Sequence, residues 1–203
     1  MIANSEETSY QLSAEDQAQM LRRLMLYWDG QWFLKAVDAF GLDAAVSLNG
    51  RVRASFGRIE MRLLLKALGK EQADDLPDAM HMVDLYTRVF MGKSIRAEFV
   101  AVGEDRSQVI VRRCPAYEGA KLAALPRQDQ SCVACEGLWS AWLETLLPGA
   151  HLTVHYPLRQ GKGDKVCSFL ITMTAGPREA SPEQDAPAGD AEEAEPGAQA
   201  GPD

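Results

Sequence analysis

Four cysteines are the residues of this sequence whose type and spacing point to chemistry. Cys132 and Cys135 form a Cys-x-x-Cys pair, and Cys114 and Cys167 lie outside the pair as single residues. At this spacing the two paired sulfurs can reach one ion or each other, and a helix N-terminus favours the thiolate form. Four thiolates suit a tetrahedral zinc ion or an iron–sulfur cluster. The four cysteines are therefore candidate metal ligands.

The spacing of the cysteines leaves a second interpretation open. Seventeen residues separate Cys114 from Cys132, and 31 separate Cys135 from Cys167, a pattern that matches no zinc signature. In the alternative, of equal weight, Cys114 and Cys167 are small buried apolar residues and the pair is redox-active or incidental. A thioredoxin-like role is disfavoured because no βαβ unit precedes the pair.

Other motifs that carry chemistry are weak or absent. His151 and His155 are four residues apart on an expected strand, so they share a face, which is more typical of a hydrated pair than of a metal or general-base site. There is no phosphate loop, Gly-rich dinucleotide turn or nucleophile elbow. No catalytic or cofactor-binding residue can be assigned.

The charge of the chain is concentrated at its C-terminal end. The formal net charge is -8, and residues 176–203 hold eight acidic residues and one arginine. The rest is close to neutral, which argues against nucleic acid as a partner. No secretory signal is visible, and no apolar run reaches the ~18 residues of a membrane helix. We therefore expect a cytoplasmic protein without a membrane partner, in which structural disulfides are disfavoured.

The hydrophobic pattern predicts an α+β fold. Helical spacing dominates up to residue 91, and alternation with period two begins after Gly92. The pattern predicts about four strands in one antiparallel sheet, with helices on one side. The expected strands are 94–102, 108–113, 151–156 and 164–174, and the expected later helices are 115–125 and 132–147. The predicted divisions are a flexible N-terminus at 1–12, a helical region at 13–91, an α+β ligand- or metal-binding domain at 92–175 and a disordered acidic tail at 176–203.

The helical region contains two further features. A helix break is expected near Gly30, within an aromatic cluster that includes Trp28, Trp32 and Phe33. This cluster suits a ligand pocket, a subunit contact or core packing. A long helix follows, with an apolar stripe over residues 42–67 through which the chain could form a homo-oligomer. The stripe consists of Leu42, Ala45, Val46, Asn49, Val52, Phe56, Ile59, Leu63 and Ala67.

Two stretches of the sequence resemble known families. The segment from Cys114 through Cys132-Val-Ala-Cys135 to Gly163-Asp164-Lys165-Val166-Cys167-Ser168-Phe169 resembles the 4-vinyl-reductase-type small-molecule-binding domain. It is also similar to the L-2-amino-thiazoline-4-carboxylic acid hydrolase family. The run from Tyr27 to Leu34, with Arg58 to Arg62, resembles an uncharacterised family of bacterial cytosolic proteins near that hydrolase family. The resemblance implies an α+β ligand-binding fold, related to heme–nitric-oxide-binding and vesicle-tethering domains, whose cysteines bind metal.

These observations lead to two functional hypotheses. The first is a cytosolic protein that binds a small-molecule ligand or a metal, zinc or an iron–sulfur cluster, at a four-cysteine site and is not clearly catalytic. The alternative is a hydrolase of a small cyclic thioether or amide of the thiazoline-carboxylate type. It would use Cys132 or Cys135 as the nucleophile, or a metal-activated water.

Overall fold

A computed structural model describes residues 10–175. The α-helices are α1 (Ala14–Phe40), α2 (Leu42–Leu68), α3 (Leu76–Phe90), α4 (Pro115–Leu122) and α5 (Val133–Leu146). The strands are β1 (Arg96–Ala101), β2 (Arg106–Arg113), β3 (His151–Leu158) and β4 (Cys167–Ala175). Short 3-10 helices cover Gly92–Ser94, Gln128–Cys132 and Gln160–Lys162. The predicted α+β class is confirmed, whereas the predicted acidic tail and most of the predicted N-terminal segment lie outside the described residues.

Helix α1 runs without interruption through the break that the sequence predicts near Gly30. Ser13 caps its N-terminus, since the Ser13 Oγ accepts a hydrogen bond from the backbone N–H of Asp16 at 3.1 Å. An interior glycine costs a helix only about 1 kcal/mol. An ion pair between Asp29 and Arg53 of α2 also ties the middle of the helix to its neighbour. The predicted break is therefore wrong, and the helix ends only before Gly41, where φ is +81°.

Helix α2 confirms the predicted long helix, but it buries the apolar stripe only near its N-terminal end. Ala45 and Val46 of the stripe are buried, whereas Val52 and, in the C-terminal half, Ile59, Leu63 and Ala67 are exposed. The buried residues in the same half of the helix are Gly57, Glu60, Met61 and Leu65. Packing against α5 selects this face, because Gly57 has no side chain to hold the two helices apart.

The four strands form one antiparallel sheet in the order β1-β2-β4-β3. The two hairpins meet where β2 pairs with β4, which places Val109 opposite Phe169 and Val111 opposite Cys167. Alternate residues along a strand point to opposite faces. Val109, Val111 and Phe169 are buried on the face that the helices cover.

One hydrophobic core joins the helices to the sheet. Trp139 of α5 packs against Phe169 of β4 with ring centroids 5.4 Å apart and against Trp142 at 5.3 Å. The same core includes Met61 of α2 and Val83 of α3. Helix α5 therefore lies between α2 and the sheet, and its first turn is fixed from both sides. No helix among residues 10–175 is both long and apolar enough to cross a membrane.

Candidate functional site

The four cysteines come from three separate segments of the chain, because Cys132 and Cys135 are neighbours in one of them. Cys114 follows β2 and immediately precedes α4, and Cys132 ends the 3-10 helix before α5. Cys135 lies in the first turn of α5, and Cys167 is the first residue of β4. Because Cys167 is paired with Val111, the end of β2 lies beside the start of β4. The sheet thus brings two of the segments together, and the segment that leads into α5 adds the third.

The cysteine side chains converge around Cys135. All four are free thiols. A negative charge on Cys114, Cys132 or Cys167 would raise the pKa of the Cys135 thiol, so all three lie within electrostatic range of it. Negative charges on Cys167 and Cys132 would likewise raise the pKa of the Cys114 thiol. The structure therefore brings together the cysteines that the sequence singles out.

Burial favours the protonated form of these thiols. It is the largest cause that raises the pKa of Cys135, and the neighbouring cysteines add to it. Burial likewise raises the pKa of Cys114 to about 11. The pKa of Cys167 is also raised by burial, although the backbone N–H of Gln160 opposes the shift. A nucleophilic cysteine needs the opposite shift, towards the thiolate at neutral pH.

The short turn between β3 and β4 packs directly on two of the sulfurs. The backbone N–H of Gln160 donates a hydrogen bond to the Cys167 Sγ at 3.3 Å. Gly161 lies against Cys132, because a Cβ on Gly161 would be only 2.5 Å from the Cys132 Sγ. The glycine is required here for this close approach rather than for an unusual backbone angle.

The Gln160 side chain holds this turn in place. Gln160 is 6% exposed. Its Nε2 donates to the carbonyl oxygen of Arg112 at 3.2 Å and to that of Lys165 at 3.3 Å. These bonds connect the turn to the end of β2 and to the segment before β4. They therefore fix the backbone two residues before Cys114 and two residues before Cys167.

Arg159 places a positive charge beside the cysteines. Its Nη2 lies 2.5 Å from the Glu136 Oε1, and its guanidinium stacks over the Tyr156 ring at 4.2 Å. The charge of Arg159 lowers the pKa of both Cys135 and Cys167, against the larger effect of burial. The Arg159 Nε is buried and has no hydrogen-bond partner among residues 10–175. The site therefore combines four sulfur donors with one cation.

The donor set suits a thiophilic metal in kind and number, but the donors do not surround a common point. Among residues 10–175, no group of three or more His, Cys, Asp and Glu side chains is arranged to hold a metal ion. The sulfurs would have to move inward to meet one ion at the ~2.3 Å length of a zinc–sulfur bond. The metal site stays a prediction.

Sequence reasoning missed three residues that shape the site. Arg159, Gln160 and Gly161 lie in a segment that the sequence identifies only as a turn. No spacing rule connects them to cysteines that are distant in the chain, so only the folded sheet shows the contact. His151 and His155 are both exposed, as their strand position predicts.

Comparisons with known proteins show a similarity of fold only. No family model matches the chain, and no curated protein matches it significantly. A structure of trafficking protein particle complex subunit 3 from Naegleria fowleri, covalently bound to palmitic acid, is similar with a TM-score of 0.51 and 13% identity, over 79% of this chain and 99% of that chain. The phenol-responsive sensory domain of the transcription activator PoxR with phenol has a TM-score of 0.49 and 14% identity, over 71% of this chain and 72% of that chain.

Proposed function

We propose that the protein binds a thiophilic metal centre, either a zinc ion or an iron–sulfur cluster, through Cys114, Cys132, Cys135 and Cys167. The observation that carries the proposal is that one turn, Gln160–Gly161, packs on the sulfurs of Cys132 and Cys167, while Cys135 lies within electrostatic range of all three other cysteines. Three separate segments supply the sulfurs, so proximity within the Cys132–Cys135 motif does not by itself explain it. The role is binding rather than catalysis.

The surroundings of the cysteines support this assignment. Four thiolates around a divalent ion leave a net negative centre, and a neighbouring arginine offsets that charge. Arg159 has a buried Nε–H without a partner in the part of the chain that the structure describes, and this group is a donor available to a sulfur or to a bound ligand. Binding requires the thiols to lose protons, and the metal supplies the free energy that overcomes their raised pKa values.

Two rival functions, hydrolysis and the binding of an organic ligand, would give different results in the test described below. The hydrolase predicted from the sequence has no specific observation in its favour, because the Cys135 pKa is raised rather than lowered. An organic ligand is the other class. The trafficking subunit with a similar fold is covalently bound to palmitic acid, so a covalent adduct on a cysteine of this chain is a defined rival.

The test is elemental analysis of full-length protein purified without oxygen, together with its absorption spectrum. We expect close to one zinc ion or one iron–sulfur cluster per chain. Cys135→Ser should lose the metal, because the serine hydroxyl is a much weaker ligand than a thiolate for zinc or iron. Ser107→Ala is the matched control: it changes a buried small side chain of β2 and should keep the metal.

Two outcomes would contradict the proposal. The first is a metal-free wild-type protein that is fully folded and whose melting temperature does not rise when zinc or iron is added. The second is a covalent adduct on a cysteine, detected as added mass under denaturing conditions. Circular dichroism of Cys135→Ser separates loss of metal from loss of fold.

A further inference from the structure

Helix α1 is apolar on two opposite faces. One face, which includes Leu26 and Phe33, is half-buried and points towards the rest of the chain. The opposite face carries a ridge of residues four apart. The ridge consists of Met20 (47% exposed), Leu24 (55%), Trp28 (73%) and Trp32 (39%).

The exposed area of this face is large enough for a stable interface. Leu21, Met25 and Tyr27 flank the ridge and are also exposed. With aromatic side chains of ~150–250 Å² each, the seven residues expose on the order of 800 Å², which is what one partner buries in a standard protein interface. Single exposed apolar side chains are ordinary, but a continuous face of this size marks a contact surface.

We propose that this face of α1 binds the same face of a second copy of the chain, with the two helices antiparallel. The sequence predicts self-association through the stripe at 42–67, but α2 uses part of that stripe inside the chain. The larger exposed apolar surface is on α1. The proposal is independent of whether the cysteine site holds a metal.

The order of side chains along the ridge favours the antiparallel arrangement. A two-fold axis near Leu26 places Met20 beside the second copy's Trp32 and Leu24 beside its Trp28, so each indole meets a smaller side chain. Ridges of residues four apart pack into one another in the commonest class of helix contact. A parallel pair would instead crowd four indoles at one end of the interface.

Charge complementarity favours the same arrangement. The first turn of α1 carries Glu15 and Asp16, and Lys35 near the other end is largely exposed. Parallel helices would place the two acidic first turns side by side, whereas antiparallel helices place each of them opposite the Lys35–Asp38 ion pair of the other copy. A groove of about 350 Å³ beside the ridge also has both an acidic and a basic residue in its lining, Asp16 and Arg23. A face with both signs of charge is suited to binding a copy of itself.

A lipid surface is a poorer occupant for this face. Helices that lie on membranes are rich in Lys and Arg on their polar side and bind anionic lipids. Helix α1 has four acidic residues and three basic ones, and the whole chain carries -8. Repulsion from an anionic surface would therefore oppose the apolar contact.

The test is the molar mass of the full-length chain in solution, measured by light scattering and sedimentation over a range of concentrations. We expect a dimer. Leu24→Glu with Trp28→Glu should give a folded monomer, because both side chains are exposed in the single chain and contribute little to its own core. Leu122→Glu is the matched control: Leu122 on α4 is 88% exposed, and its change should leave the dimer intact.

A charge reversal tests the orientation. Lys35→Glu should weaken the dimer, and Lys35→Glu with Asp16→Lys should restore it, because Asp16 lines the groove beside the ridge. A wild-type chain that is monomeric at all concentrations, or one that is monomeric and cosediments with vesicles containing anionic lipid, would overturn the proposal. So would a dimer that persists in the Leu24→Glu, Trp28→Glu variant. If that variant fails to fold, Met20→Ser with Trp32→Ser supplies the same test with smaller changes.

Discussion

Glu60 is a buried carboxylate in the centre of the helical layer. It is 5% exposed, and its Oε2 accepts a hydrogen bond from the Trp142 Nε1 at 2.7 Å. Tyr86 lies close enough to Glu60 for the carboxylate charge to raise the pKa of its phenol, and its ring packs edge-on against Trp142 with ring centroids 5.6 Å apart. The three residues come from α2, α5 and α3, so the network fixes the relative positions of three helices. A buried charge of this kind stabilises the fold only while its donors are in place.

Removing one donor should therefore have a measurable cost. We expect Trp142→Phe to lower the free energy of unfolding by about 1–3 kcal/mol beyond the packing loss, since it leaves a carboxylate oxygen unpaired. Urea denaturation of Trp142→Phe, Glu60→Gln and the double variant gives the coupling between the two residues. Trp139→Phe controls for the loss of indole volume in the same helix. Additive effects would show that the hydrogen bond does not contribute.

At the level of single residues, the sequence indicated which residue types could carry chemistry, but it did not indicate which residues are in contact. The four cysteines were recognisable because thiols at a Cys-x-x-Cys spacing are unusual in a chain without disulfides. Arg159, Gln160 and Gly161 could not be recognised as part of the site, because the sequence of a turn does not indicate which residues it packs against. Glu60 was missed for the same reason, since a glutamate within a helix normally predicts an exposed position.

Helices α2 and α5 pack closely because small residues line their contact. A Cβ on Gly137 would lie 3.4 Å from the carbonyl oxygen of Gly50. A Cβ on Gly57 would lie 3.0 Å from the Leu138 Cδ1 and 3.3 Å from the Ala141 Cβ. The backbones can approach this closely only where no larger side chain intervenes.

The two glycines of α2 should respond to substitution in opposite directions. Gly50→Ala meets nothing within 4 Å and should raise the free energy of unfolding by up to about 1 kcal/mol, through helix propensity. Gly57→Leu should lower it by about 1–3 kcal/mol through overpacking. Urea midpoints of the two variants check both signs. Gly57→Leu at wild-type stability would mean that α5 can move away freely.

The type of each secondary-structure element could be predicted from the sequence, but the side of each helix that faces the core was harder to predict. Alternating residues located the strands within a few positions, because the sheet has one buried face. The burial of Gly57 and Glu60 on α2 could not be predicted, because these residues face the core through contacts with α5 rather than through hydrophobicity. The break expected near Gly30 does not occur, because an ion pair with α2 supports the helix there.

At the scale of the whole molecule, buried tyrosines connect stability to pH. Burial is the largest cause that raises the pKa of Tyr86 above its ordinary value of 10.0, and the charge of Glu60 adds to it. Burial also raises the pKa of Tyr156. In the unfolded chain these phenols lose their protons near pH 10, but in the folded chain they keep them.

The free energy of unfolding should therefore decline as pH rises above 10, because only the unfolded state gains from releasing the protons. Denaturation curves across this range check the sign, and absorbance at 295 nm identifies the phenols that ionise late. Tyr86→Phe should make the decline shallower. A stability that stays constant through this range would contradict the assignment of Tyr86 as a buried, protonated phenol.

The position of β4 affects the order of events during synthesis. It pairs with both β2 and β3, so before it emerges from the ribosome the sheet consists of one hairpin and one separate strand. Its first residue, Cys167, is also the last of the four cysteines to be made. A growing chain therefore offers any early ion at most three sulfurs. Closure of the sheet and completion of the donor set coincide, late in translation.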